Sequence, residues 1–311
     1  MTILINKSLK SFPLSVSRFL FFFIIFAHTF RNKMEFINDI LQYNYLSNAL
    51  MACVLSGITC GIIGTYIVAR RMVFLCGGIT HASFGGLGIA FYFGANPILG
   101  ATIFAILSAL GIEWSSSHAK IRQDSAIGMV WGIGMAIGAF FIALRPGYTS
   151  GDMANFLFGR IITITQSDII ALAVLSTALI ISILLWHRPI MYAAFDSNFA
   201  EASGVPVKLI HYTMAVVTAI TIVLSIRTMG IVLLISLLTM PVVTANILSK
   251  DYKKIIPMAA VIASIAGVAG IALSYHAEVP SGPAIIFMLT IAFLTIKLLS
   301  LWVKRLKQHK N

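Results

Sequence analysis

DIIALAVLSTALIISILLWH, running from Asp168 to His187, carries eighteen consecutive residues without a formal charge between its two end residues. About 20 mostly apolar residues at a rise of 1.5 Å each cross the ~30 Å hydrocarbon core of a bilayer, so this run reads as one spanning helix. The same ruler predicts spans at 46–69, 79–95, 97–114, 125–144, 208–226, 229–248, 255–274 and 284–303. The expected fold is all-α and polytopic. It has nine crossings, or eight if one of the two shorter segments at 79–95 and 97–114 merges or drops out. Composition agrees: of 311 residues, 59% are hydrophobic and 10% charged, with a mean hydropathy of +0.95. A soluble domain carries about 25% charged residues, so this balance excludes a soluble enzyme. With only 10 acidic and 22 basic side chains, the apolar excess must face lipid.

The formal net charge of +12 does not point to nucleic acid, because the basic residues form no single stripe interleaved with aromatics. They cluster between apolar segments: Arg70 and Arg71, Lys120 to Arg122, Lys250 to Lys254, and KRLKQHK near the C-terminus. Placing that tail in the cytoplasm and alternating backwards puts every cluster, with Arg188 and Lys208, on the inner side. Only Arg145, Arg160 and Arg227 fall outside, as isolated positives. Residues 1–33 stand apart as an N-terminal extension, and 34–311 read as a single transmembrane domain. Three readings of FLFFFIIFAHTF at 19–30 stay open: a tenth span, a signal-like segment without a small-residue cleavage site, or an overlong start ahead of Met34.

Gly57 with Gly61, and Gly128 with Gly132, are spaced four apart on one helix face, which suits close helix packing. GIGMAIG at 132–138 is one residue off a dinucleotide fingerprint but follows no strand, so packing is the expected use. Cys53, Cys60 and Cys76 lie in apolar runs and make neither a disulfide framework nor a zinc cluster.

Ionisable groups inside a membrane are costly, so each is a functional candidate. His81 stands out in RRMVFLCGGITHASFGGLG, with Cys76 and Thr80 as auxiliary metal-ligand candidates and five glycines that predict an easily broken helix. A buried histidine bonded to a neighbouring carbonyl is the plain alternative. His276 and Glu278 fall in an outer loop, where they could meet an arriving cation or simply be solvated. His118, His187 and His211 sit at inner helix ends, where snorkelling explains them, and Asp124 is placed to cap the fourth span. HExxH, GxSxG and GxxxxGK[ST] are absent, so an ATP-driven step would belong to another chain.

FDSNFAEASGVPVKLIHY, Phe195 to Tyr212, is the longest inner loop. Asp196 precedes the short amphipathic run NFAEASG, and Gly204 is placed to stop it. Such a helix exposed to the cytosol is a docking element, with Asp196, Ala200, Glu201 and Gly204 as its candidate coupling residues near 196–206.

This segment resembles the coupling helix of permeases in ABC importers, specifically the zinc/manganese/iron permease family. RRMVFLCGGITHA, IRQDSAIGMVWGIGMAIGAFFI, FLFGRIITITQSD and RTMGIVLLISLLTMPVVTANILS resemble further family segments in the expected order, across most of 46–303. The resemblance implies a type II ABC importer-like bundle in a bacterial inner membrane with its C-terminus in the cytoplasm. It implies a divalent metal (zinc, manganese or iron) as substrate, a second permease copy, ATP bound on a cytoplasmic ATPase, and an extracytoplasmic metal-binding protein. His81 matches the family's pathway histidine. The acidic residue that the family carries four positions earlier is Gly77 here. Permeases for chelates such as siderophores or cobalamin share this architecture with ten spans. An ATP-independent channel or scaffold is the other alternative, and the coupling segment argues against it.

Overall fold

A computed structural model describes residues 38–40, 42–119, 121–144 and 164–308. The extension at 1–33, Lys120, Arg145, Arg160 with the rest of FLFGRIIT, and the last three residues lie outside the described residues. In chain order the helices are α1 (Asn44–Ala69), α2 (Val73–Tyr92), α3 (Pro97–Ser117), α4 (Gln123–Ala143), α5 (Gln166–Phe195), α6 (Ser197–Ala202), α7 (Val207–Met229), α8 (Ile231–Leu248), α9 (Tyr252–Ala277) and α10 (Ser281–Gln308). All but α6 are long and apolar enough to cross a membrane, which makes nine spans among the described residues. Lipid offers no partner for an unpaired peptide group, so a spanning segment closes its backbone bonds internally and connections shrink. That shortens the first connection: α2 starts at Val73, not near 79, after a turn over Arg70 to Met72 in which Arg71 takes φ 59°. The side bearing Arg70, Arg71, Lys208 and Lys253 is called the basic side below.

α1 and α2 are the most buried spans, whereas α5 and α10 are the most exposed. α1 packs chiefly on α9, α5 and α8, while α2 packs on α4 and α3. Ile63 and Ile67 of α1, Ile79 of α2, Ile222 of α7 and Leu234 of α8 fill the shared core.

The glycines do not break α2, which is helical throughout. Lost side chains there let α4 come close: a Cβ at Gly85 would lie 2.8 Å from the Gly134 carbonyl oxygen, and one at Gly88 2.6 Å from that of Gly138. The packing pair on α4 is therefore Gly134 and Gly138. Gly128 and Gly132 share that spacing but face open space. Gly57 and Gly61 pack as expected, each with a Cβ position 2.6 Å from an atom of α9, Ser264 Oγ and Ala260 N respectively. Asp124 is not a cap. Arg122 holds the N-cap position of α4 without a side-chain bond, and Asp124 lies in the first turn, where its charge complements the helix dipole.

Candidate functional site

His81 lies near the middle of α2, half-buried, with its ring stacked on Trp131 of α4 at a centroid distance of 4.4 Å and an interplanar angle of 5°. Gly77, one turn earlier, faces the same wall: a Cβ there meets Trp131 Cζ3 at 3.6 Å and Ile235 Cδ1 at 4.0 Å, ordinary contact distances. The histidine and the missing carboxylate position thus share one face. The two auxiliary candidates do not join them. At 3.6 residues per turn, Cys76 and Thr80 point about 140° and 100° away from His81. Cys76 is fully buried in the core it shares with Cys60 of α1, and Thr80 is fully buried with its hydroxyl unpartnered. Among the described residues no three His, Cys, Asp or Glu side chains gather to hold a metal ion. The described residues of one chain therefore bring a single imidazole to this wall.

His276 is in the last turn of α9 rather than in a loop, half-buried and edge-on to Tyr275 at 5.1 Å. Glu278 is exposed and ends α9 in a left-handed conformation at φ 53°. Beside them the Tyr275 hydroxyl donates to the Asp39 carboxylate, which ties the segment ahead of α1 to α9. Arg227 is not an isolated positive: its guanidinium sits 2.6 Å from the buried Asp168, joining α7 to α5. Asp168 also accepts from the Thr165 amide at 3.0 Å, closing a capping box at the start of α5.

On the basic side, Asp196 caps α6 by accepting from the Phe199 amide at 3.0 Å. Gly204 follows with φ +79°, a left-handed turn that a side chain disfavours. Ala200 is fully buried between Ala193 and Val207, so it roots the helix in the bundle and presents nothing to a partner. The outward face belongs to Phe199, 57% exposed, and Glu201.

Beside the roots of α6 lies a cluster that sequence reading missed. Glu113 of α3 is buried and accepts two bonds from the Arg70 guanidinium, at 3.2 and 3.3 Å. The same guanidinium donates to the Tyr66 hydroxyl at 3.2 Å. His211 of α7 does not snorkel. It is buried, with Nδ1 3.3 Å from Glu113 and Nε2 3.1 Å from the Ala193 carbonyl of α5. The end of α1, α3 and α7 meet at this one carboxylate, and His211 ties α5 to them. The available signal was a single acidic residue in an otherwise apolar span, in ILSALGIEW.

Nine spanning helices among the described residues, with a capped helix beside the positive loops, form the architecture of a membrane permease. The ABC 3 transport family matches residues 42–300, and the chain belongs to this family, as a transport permease subunit rather than an enzyme. It is 34% identical over 261 residues to an uncharacterized membrane protein, slr2045, of Synechocystis, covering 84% of this chain and 92% of that one. It is 33% identical over 262 residues to the manganese transport system membrane protein MntC of Halalkalibacterium halodurans, covering 84% and 89%. The fold is similar to PsaBC from Streptococcus pneumoniae in complex with Fab, with a TM-score of 0.75, 27% identity, and coverage of 85% of this chain and 94% of that one.

Proposed function

We propose that the chain forms the translocation pathway of an ATP-driven manganese importer in a bacterial inner membrane, with the basic side and the C-terminus in the cytoplasm. Residues 34–311 form the permease domain, and 1–33 precede it as an extension. The observation that carries the reading is His81. It is an imidazole near the middle of a spanning helix, on one face with Gly77 and, among the described residues, without enough neighbouring ligands to fix an ion. Such a wall is completed by a second copy of the permease, and weak ligation suits a conduit that an ion must leave as readily as it enters. In this reading His276 and Glu278, at the end of α9 away from the basic loops, form the outer mouth where an external metal-binding protein would deliver the ion. Relatives named for manganese transport favour that metal over zinc or iron, and favour a bare ion over a chelate. The test is uptake of radioactive manganese, zinc and iron in cells lacking the gene. Manganese uptake is expected to fall to background and to return when the gene is restored. Loss confined to cobalamin or siderophore uptake would favour the chelate reading instead.

In the same reading α6 docks on the ATPase. Gly204→Val forces a β-branched residue into φ +79°, a strain of about 1–3 kcal/mol at the exit of a six-residue helix. Purified complex in liposomes should hydrolyse ATP with little manganese transport, while Gly204→Asn, which tolerates the left-handed region, keeps most of the coupling. Equal transport per ATP in Gly204→Val and the parent would remove α6 from the coupling path.

A further inference from the structure

α5 and α9 both pack on α1 but scarcely on each other, which leaves a cavity of about 760 Å³ between them. That is within the size range of small-molecule sites. Ile58 and Ile62 of α1 form its floor, with Leu184 of α5 and Val261 of α9 on its walls. The end nearest the basic side is lined by His187, Arg188 and Lys253.

Two prolines help shape it. Pro189 has no amide proton for the Leu185 carbonyl and crowds the preceding turn, and α5 kinks at Trp186, which leaves helical geometry at φ −119°, ψ 23°. Pro257 likewise removes an amide bond from α9 on the facing wall. Trp186 is 56% exposed, and exposed tryptophans mark the headgroup level of a bilayer. The basic groups of the cavity are therefore at headgroup depth, and its apolar part runs into the hydrocarbon.

Charge there is unbalanced. Lys253, Asp251 and Arg188 all act electrostatically on His187, so the four groups share one small region. Asp251, the one carboxylate among them, accepts from the Lys253 amide at 3.0 Å and so caps α9. Neither Arg188 nor Lys253 forms an ion pair among the described residues, and both are exposed.

We propose that this groove holds one anionic phospholipid from the leaflet on the basic side, its phosphate between Arg188 and Lys253 and its acyl chains along Ile58 and Ile62. An apolar trough with cations at its headgroup end is complementary to a lipid carrying net negative charge, as basic pockets between spans on the cytoplasmic side are. The cations need that net charge, so zwitterionic lipid fits the trough but not its end. The inference rests on the membrane fold and its orientation, not on which metal is carried.

The experiment is native mass spectrometry of the complex purified in detergent and reloaded with phosphatidylglycerol or phosphatidylethanolamine. The parent should retain one phosphatidylglycerol in preference to phosphatidylethanolamine. The double change Arg188→Gln with Lys253→Gln should weaken that retention roughly 30-fold, about fivefold for each cation. Val261→Trp alters a side chain that is 55% exposed and lines the trough, so it should displace the lipid with both cations in place. Equal retention of both lipids, or unchanged retention in the double variant, would overturn the proposal. So would displacement of the lipid by inorganic phosphate alone, which would make this a bare anion site. A Val261→Trp protein that keeps its lipid but loses a subunit would reassign the face to a second copy of the chain.

Discussion

His81→Ala is expected to abolish metal uptake while the amount of permease in the membrane stays unchanged. The alternative is that His81 only packs, and magnitudes separate the two. Its ring stacks on Trp131 at 4.4 Å, and an aromatic pair of this kind contributes about 0.5–1.5 kcal/mol beyond the area it buries. Losing that much would lower protein level or thermal stability modestly and leave transport per molecule intact. His81→Phe sharpens the comparison because it keeps a flat ring on Trp131 and removes both nitrogens. Uptake should be lost in this variant as fully as in His81→Ala, and normal uptake by His81→Phe would return the residue to the packing role. Gly77→Asp gives the complementary gain. The Cβ position there makes only ordinary contacts with Trp131 and Ile235, so the carboxylate fits and stands one helical turn from the imidazole. Adding a hard oxygen ligand beside a nitrogen should shift the order of preference among manganese, iron and zinc. An unchanged order would mean that the two positions do not act on one ion.

Glu113→Gln is expected to destabilise the permease by about 3–5 kcal/mol, the usual cost of removing one partner from a buried ion pair. Gln keeps the size and one hydrogen-bond acceptor, so the loss isolates the charge. The Arg70 and Glu113 side chains are only 13% and 6% exposed, and little water remains to solvate an orphaned guanidinium. His211 loses its carboxylate partner at the same time, which loosens α7 from α3 beside the root of α6. A fall in the thermal midpoint of the purified protein, read by size-exclusion fluorescence, is the measurement. Replacing Arg70, Glu113 and His211 together with Met, Leu and Phe should recover much of the loss, because a filled apolar site does not need the charges. A Glu113→Gln protein as stable as the parent would mean that the cluster contributes nothing net.

The positions and order of the described spans were legible in the chain because crossing a bilayer is a local property of about 20 residues at a time. Helix α6 was legible for a similar reason: Asp196 and Gly204 punctuate it through bonds and dihedral angles within their own few residues. Segment ends were less legible. The hydropathy ruler began the second span six residues late, since it cannot tell that the Arg70 to Met72 turn is so short.

Which residues meet across the bundle was decided by the tertiary structure alone. Gly128 with Gly132 and Gly134 with Gly138 have the same spacing on the same helix, yet only the second pair touches α2. Arg70 and Arg71 look equivalent as positive loop residues, yet Arg70 turns inward to a carboxylate 43 positions away. Arg227 read as a lone outer charge until Asp168 stood beside it. In a soluble helix an apolar stripe names the buried face. These spans are apolar nearly all round, because lipid and core are alike to a leucine, so the pattern that fixes their depth in the membrane carries no signal for their rotation. Rotation is set by close-fitting small residues and a few paired charges, and those become visible only when the neighbouring helix is in place.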